Sequence, residues 1–179
     1  MIRRRGFAAV LLALAALLPA HGAVGEDVTA LVTSISMDEV KALVTENGYD
    51  VGSWQDGLII RHPASDDPLL VVLSECQGAR CTWMAIHTLW PLGQRKAAIA
   101  AAQDFEHVRP TVIVAFYDDG QEVAVSVGRD LYLGSGVTRL NINANIVQVE
   151  LMAMSFREAL VAVDPGYEAF LDGLERVAE

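Results

Sequence analysis

Residues 69–90 read Leu-Leu-Val-Val-Leu-Ser-Glu-Cys-Gln-Gly-Ala-Arg-Cys-Thr-Trp-Met-Ala-Ile-His-Thr-Leu-Trp. One apolar run, 69–74, and a second, 82–90, flank the cysteines and the four-residue loop Gln77-Gly78-Ala79-Arg80 between them. Two strand-like runs joined by a Gly-bearing loop predict a β-hairpin. In that hairpin Cys76 and Cys81 face each other at a separation that a disulfide can bridge. They are the only cysteines of the chain. No Cys or His cluster supplies the further ligands a zinc ion needs, and the spacing is not the Cys-x-x-Cys of a redox enzyme. The pair therefore reads as a structural disulfide closing a short loop, with a modest effect on stability.

Upstream of the hairpin, Ser36-Met37-Asp38-Glu39 has the form of a capping box. Met37, Val40, Leu43 and Val44 then share one helical face, and Gly48 ends the helix. Strands are expected at 49–54 and 58–62 around the turn Gln55-Asp56-Gly57, with a polar loop at 63–68. Downstream, 93–106 is Ala-rich and presents Ile99, Ala102 and Phe105 on one face until Pro110 stops it. A strand at 111–117, the turn Asp118-Asp119-Gly120, and a returning strand at 122–127 follow. In the last, Val123, Val125 and Val127 alternate toward the core. Residues 131–133 extend the sheet.

A long helix is expected from Thr138 to about Val163, stopped by Asp164-Pro165-Gly166. Ile142, Ile146, Val149, Ala153, Phe156, Leu160 and Val163 form its main apolar seam. Val147, Met154 and Val161 form a second line, turned away from the seam. One sheet buries one line, so the second requires another cover, either the C-terminal tail or a second chain. The order helix, three strands, helix, two or three strands, helix gives an α+β domain: an antiparallel sheet packed by helices.

The first residues carry a different message. Arg3, Arg4 and Arg5 precede an apolar run from Phe7 to Leu18, which Pro19 breaks before the small residues Ala20, Gly22, Ala23 and Gly25. That is the layout of a secretory signal peptide, with an apolar run too short to span a bilayer. The expected organisation is a signal peptide at 1–25, a flexible mature N-terminus at 26–34, an α+β domain at 35–165 and a C-terminal helical tail at 166–179. Cleavage leaves a mature chain beginning between Ala23 and Glu26, delivered to the periplasm or secreted, without stable membrane insertion. An oxidising compartment would keep the Cys76–Cys81 bond closed. The net charge is −10, and loss of the three arginines makes it more negative. Such a surface repels nucleic acid and anionic lipid headgroups, so no nucleic-acid partner is expected.

The order of features, with Cys76 to Trp83 and Leu131-Tyr132-Leu133-Gly134-Ser135-Gly136-Val137 ahead of the long helix, resembles the YbjN family. The resemblance covers roughly residues 34–163. It implies a fold like that of type III secretion chaperones and a label as a sensory transduction regulator, with no reaction and no cofactor. Many relatives carry an Asn-x-Trp-Asn-like motif in the middle helix, where this chain has Ala100-Ala101-Ala102-Gln103.

Chemistry-bearing residues are sparse. His62, His87 and His107 each stand alone along the chain, without metal-ligand spacing. Ser126 and the other serines lack a Gly-x-Ser-x-Gly elbow. Gly134-Ser135-Gly136 could cradle an anion at a helix start, but a turn feeding the helix explains both glycines. Asp66-Asp67 and Asp118-Asp119 do not follow the alternation of a calcium loop. The expectation is no enzyme, no metal and no cofactor. The chain reads as an exported protein-binding module of adaptor or chaperone-like type, with a small-ligand or lipid carrier as the alternative. Its interaction surface is expected at Val147, Met154 and Val161, with Trp54 as the exposed tryptophan, and its partner as another protein or a second copy.

Overall fold

The computed structural model describes residues 29–65, 67–108, 113–118 and 123–171. The signal peptide expected at 1–25 lies outside them, as does the last part of the tail.

Among the described residues the named elements are β1 (Leu31–Val32), α1 (Met37–Glu46), β2 (Asp50–Trp54), β3 (Gly57–Arg61), β4 (Leu69–Gln77), β5 (Arg80–Gly93), α2 (Lys96–Val108), β6 (Ile113–Asp118), β7 (Val123–Tyr132), β8 (Val137–Thr138) and α3 (Arg139–Val163). Six strands make one antiparallel sheet in the order β2-β3-β4-β5-β7-β6, and β1 pairs with β8 in a separate two-stranded ladder. The fold is α+β, an antiparallel sheet packed by helices.

Local chemistry sets the helix starts. Ser36 Oγ accepts from the Glu39 amide (3.3 Å) while a Glu39 carboxylate oxygen accepts from the Ser36 amide (2.7 Å), closing the capping box. Burial alone would raise the Glu39 pKa. Its bonds from Ser36 and Arg80 override that and hold it below the ordinary value. Thr138 caps α3 by accepting from the Asn141 amide.

The core forms where the three helices meet one face of the sheet. Val40, Leu43 and Val44 of α1, Ala98, Ala102 and Phe105 of α2, and Ile142, Ile146, Val149, Ala153, Phe156 and Leu160 of α3 close on Leu58, Ile60, Val71, Met84, Ile86, Trp90, Val125 and Val127. Full burial of each large side chain stabilises by about 1.5–3 kcal/mol. Phe156 stands edge-on to both Trp90 and Phe105. Among the described residues no helix is long and apolar enough to cross a membrane.

Several expectations are revised. The hairpin turn is tighter than four residues. The strands continue past the cysteines to Gln77 opposite Arg80, because Gly78 adopts φ +64° and lets the chain reverse in two residues. The strand expected to end at Val127 runs unbroken to Tyr132. Within the stretch expected to be a loose N-terminus, Leu31–Val32 pairs with Val137–Thr138. Val163, assigned to the α3 seam, is exposed; it sits at the margin of the buried arc, one residue before the C-cap.

Candidate functional site

The outer side of α3 carries an uncovered apolar stripe. Leu140, Val147, Leu151 and Met154 are 60%, 47%, 57% and 43% exposed. At 3.6 residues per turn they fall within an arc of about 60°, over a length of about 21 Å. Val161 leaves this stripe and is half-buried against the core. A seven-residue step on a straight α-helix drifts by about 20° per heptad, which by Val161 has carried the line round toward the sheet.

The described part of the tail does not cover the stripe. Tyr167 is buried and donates its hydroxyl to the Pro91 carbonyl (2.8 Å), and Phe170 lies under the Arg95 guanidinium. Arg95 grips Asp164 with two parallel bonds, and Arg157 joins Glu168 and Asp67. Asp67 is thus committed to an ion pair. Asp66 and Asp119 lie outside the described residues, as does the side chain of Asp118.

Beside Val147 opens a polar notch of about 230 Å³, lined by Asn47, Tyr49, His62, Asn143, Ile146 and Glu150. Tyr49 donates its hydroxyl to Glu150 Oε2 (2.7 Å), and His62 Nδ1 stands 3.4 Å from Glu150 Oε1. Burial raises the Tyr49 pKa, and the bond and charge of Glu150 raise it further. His62 is therefore not alone in space, although nothing near it in sequence says so.

The second surface is the sheet face turned away from the helices. Register places Ile59, Leu70, His87 and Gly128 in one row across β3, β4, β5 and β7. Gly57, Val72, Ala85 and Asp130 form the next row, and Ser74, Trp83 and Tyr132 the row beyond. Toward the other end lie Leu89 with Ser126, and Ala124 with Tyr117. A sheet with one wet face normally alternates apolar with polar residues. Here the outward positions of β3 and β4 are Ile59, Leu70 and Val72, and none of the three belongs to the core or packs against it. Leu89 and Tyr132 are more than half exposed. Trp54 is exposed at the rim on β2, Trp83 is half-buried against the Tyr132 ring, and Trp90 is in the core.

The polar exception on this face is a clip around His87. Its Nδ1 lies 2.9 Å from Ser126 Oγ and its Nε2 lies 3.0 Å from Asp130 Oδ1. The ring rests on Gly128, where a Cβ would come within 2.7 Å of the His87 ring carbon. In the neutral tautomer that satisfies both contacts, Nε2–H donates to Asp130 and Nδ1 accepts from Ser126. The trio has the membership of an acyl-transfer triad but not its setting. Ser126 is buried, and β7 is paired on both sides, so its amides serve the ladders rather than an oxyanion.

Sequence reasoning missed the clip because it ended the strand at Val127. Extended by three residues, Ser126, Gly128 and Asp130 fall on one face. It also missed Leu140 and Leu151. The seven-residue step carried backward from Val147 reaches the first, and a four-residue step forward reaches the second. The Gly134-Ser135-Gly136 segment is a turn, with Gly136 at φ +88° donating to the Leu133 carbonyl. Among the described residues no group of three His, Cys, Asp or Glu is placed to hold a metal ion.

No family model matches the chain, and no curated protein matches it. Among solved structures it is similar to the crystal structure of YbjN from E. coli, described there as a candidate transcription regulator. The TM-score is 0.53 at 15% identity, covering 73% of this chain and 94% of that one. At that identity the likeness shows a shared fold.

Proposed function

We propose that this chain is a non-enzymatic protein-binding module of adaptor or chaperone-like type, acting after export to the periplasm or beyond the cell. One observation carries the reading: the α3 stripe of Leu140, Val147, Leu151 and Met154, which stays uncovered by the described chain. A narrow apolar stripe on a rigid helix suits an amphipathic helix laid alongside it. The Tyr49–Glu150–His62 notch at its flank offers hydrogen bonds that fix the partner's register. Export is supported by the layout of residues 1–25 and by the pairing of Cys76 with Cys81 across the β4–β5 ladder.

The test captures partners from periplasmic extract with the intact protein and with Met154→Asp, whose circular dichroism should remain native. Intact mass of the protein from that fraction is read alongside. The expected result is a mature chain beginning between Ala23 and Glu26, and a partner retained by the parent but lost at least about tenfold by the variant. Equal capture by both proteins would remove α3 as the binding surface. A species still beginning at Met1 would overturn export with cleavage.

A further inference from the structure

We propose that the face of the six-stranded sheet left uncovered by the described residues is the interface with a second copy of this chain, two sheets packing face to face as a sandwich. This surface is separate from the α3 stripe, and neither reading requires the other.

Size supports a stable dimer. Six strands of 5 to 14 residues, about 4.8 Å apart and rising about 3.3 Å per residue, give a face of roughly 750 Å² for each subunit. A standard interface buries about 800 Å² per partner.

Composition supports it as well. Leu70, Val72 and Ala85 form a low apolar centre beside the His87 clip, with Leu89 and Tyr117 at one end and Trp83 and Tyr132 at the other. Inner faces of sandwiches are built of such outward-pointing apolar rows, interdigitated about 10 Å apart.

Charge selects the occupant. The chain as a whole is strongly acidic, yet the register rows of this face carry few charges: Asp130, hydrogen-bonded to His87, and Asp50 opposite Arg61 in the β2–β3 register. A basic partner drawn to the acidic surface would find nothing to match here. A second copy meets its own apolar rows, with Asp130 as the one carboxylate near the centre of the contact. The His87 clip satisfies polar atoms that would otherwise be stranded in a dry contact.

Because the contact is isologous, each substitution enters it twice. Sedimentation of the purified protein at about 1–100 μM should show a dimer. Leu89→Asp, at an exposed position where the fold is indifferent, and Val72→Asp, nearer the centre, should each weaken dimerisation by at least about 100-fold with native circular dichroism. Should Val72→Asp fail to fold, Leu89→Asp alone decides. Leu151→Asp on α3 should leave the dimer intact while reducing partner capture. A monomer at 100 μM, or a dimer that survives Leu89→Asp, would overturn the proposal. A dimer lost only in Leu151→Asp would overturn it too, moving self-association to α3. Loss of partner capture with an unchanged dimer separates failure of the α3 reading from failure of this one.

Discussion

Gly128 sits under the His87 ring, and a methyl group there has no room. An added Cβ would collide with the Ile86 carbonyl as well as with the His87 ring, so backbone as well as side chain would have to move. Gly128→Ala should therefore destabilise by about 2–3 kcal/mol, the usual scale of overpacking. Ser126→Ala removes only one partner of His87 and should cost about 1 kcal/mol. Chemical denaturation of the two variants measures the difference. Equal midpoints would mean that the imidazole is not seated on the strand.

Among the elements, the β4–β5 hairpin does more than add strands to the sheet. Its tip holds the start of α1: the Ile35 and Cys81 backbones exchange two hydrogen bonds, and Arg80 reaches Ser34 and Glu39. Beside the disulfide, Glu75 adopts φ +53°, and the ladder skips the pairing of Glu75 with Thr82. The bond stabilises by about 2 kcal/mol in the chain-entropy model for so short a loop. Freshly isolated protein should show no thiol open to alkylation until it is reduced. Reduction or Cys76→Ser should then speed amide exchange at Ile35 and Cys81 while the sheet stays protected. Two alkylated cysteines in unreduced protein would contradict the closed bond. Uniform loosening of the sheet would contradict a latch local to the tip.

In the molecule as a whole, the chain closes on itself through charge. The Arg95 bond, and then its charge, hold the Asp164 carboxyl below its ordinary value, and Arg157 does the same for Glu168. A depressed carboxylate contributes stability that is present above its unfolded pKa and lost as pH falls through the folded one. Here that window lies below about pH 4.5. Acidification from about pH 6 to about pH 3 should release residues 164–171 before the core, with Tyr167 leaving its bond to Pro91. Amide exchange along the tail measures this, and Arg95→Gln should shift the release to higher pH. A tail equally protected at pH 3 would show that burial of Tyr167, rather than the ion pairs, holds it.

Much of this architecture was legible in residue order because it depends on neighbours. The Ser36–Glu39 box, the Cys76–Cys81 pairing across a tight turn and the Ile142-to-Leu160 seam are each set within a few residues, where periodicity and turn chemistry act. The surfaces were not legible. Leu69 to Leu73 is apolar at every position, and sequence alone cannot say whether both sides of such a strand are covered. That depends on all three helices packing on one face and leaving Leu70 and Val72 outside. His87 lies 39 residues from Ser126 and 43 from Asp130, and only the β5–β7 register brings them together. Local pattern determined which elements form and which of their faces are apolar; tertiary packing alone decided which of those faces stay uncovered, because burial is a relation between segments far apart in the chain.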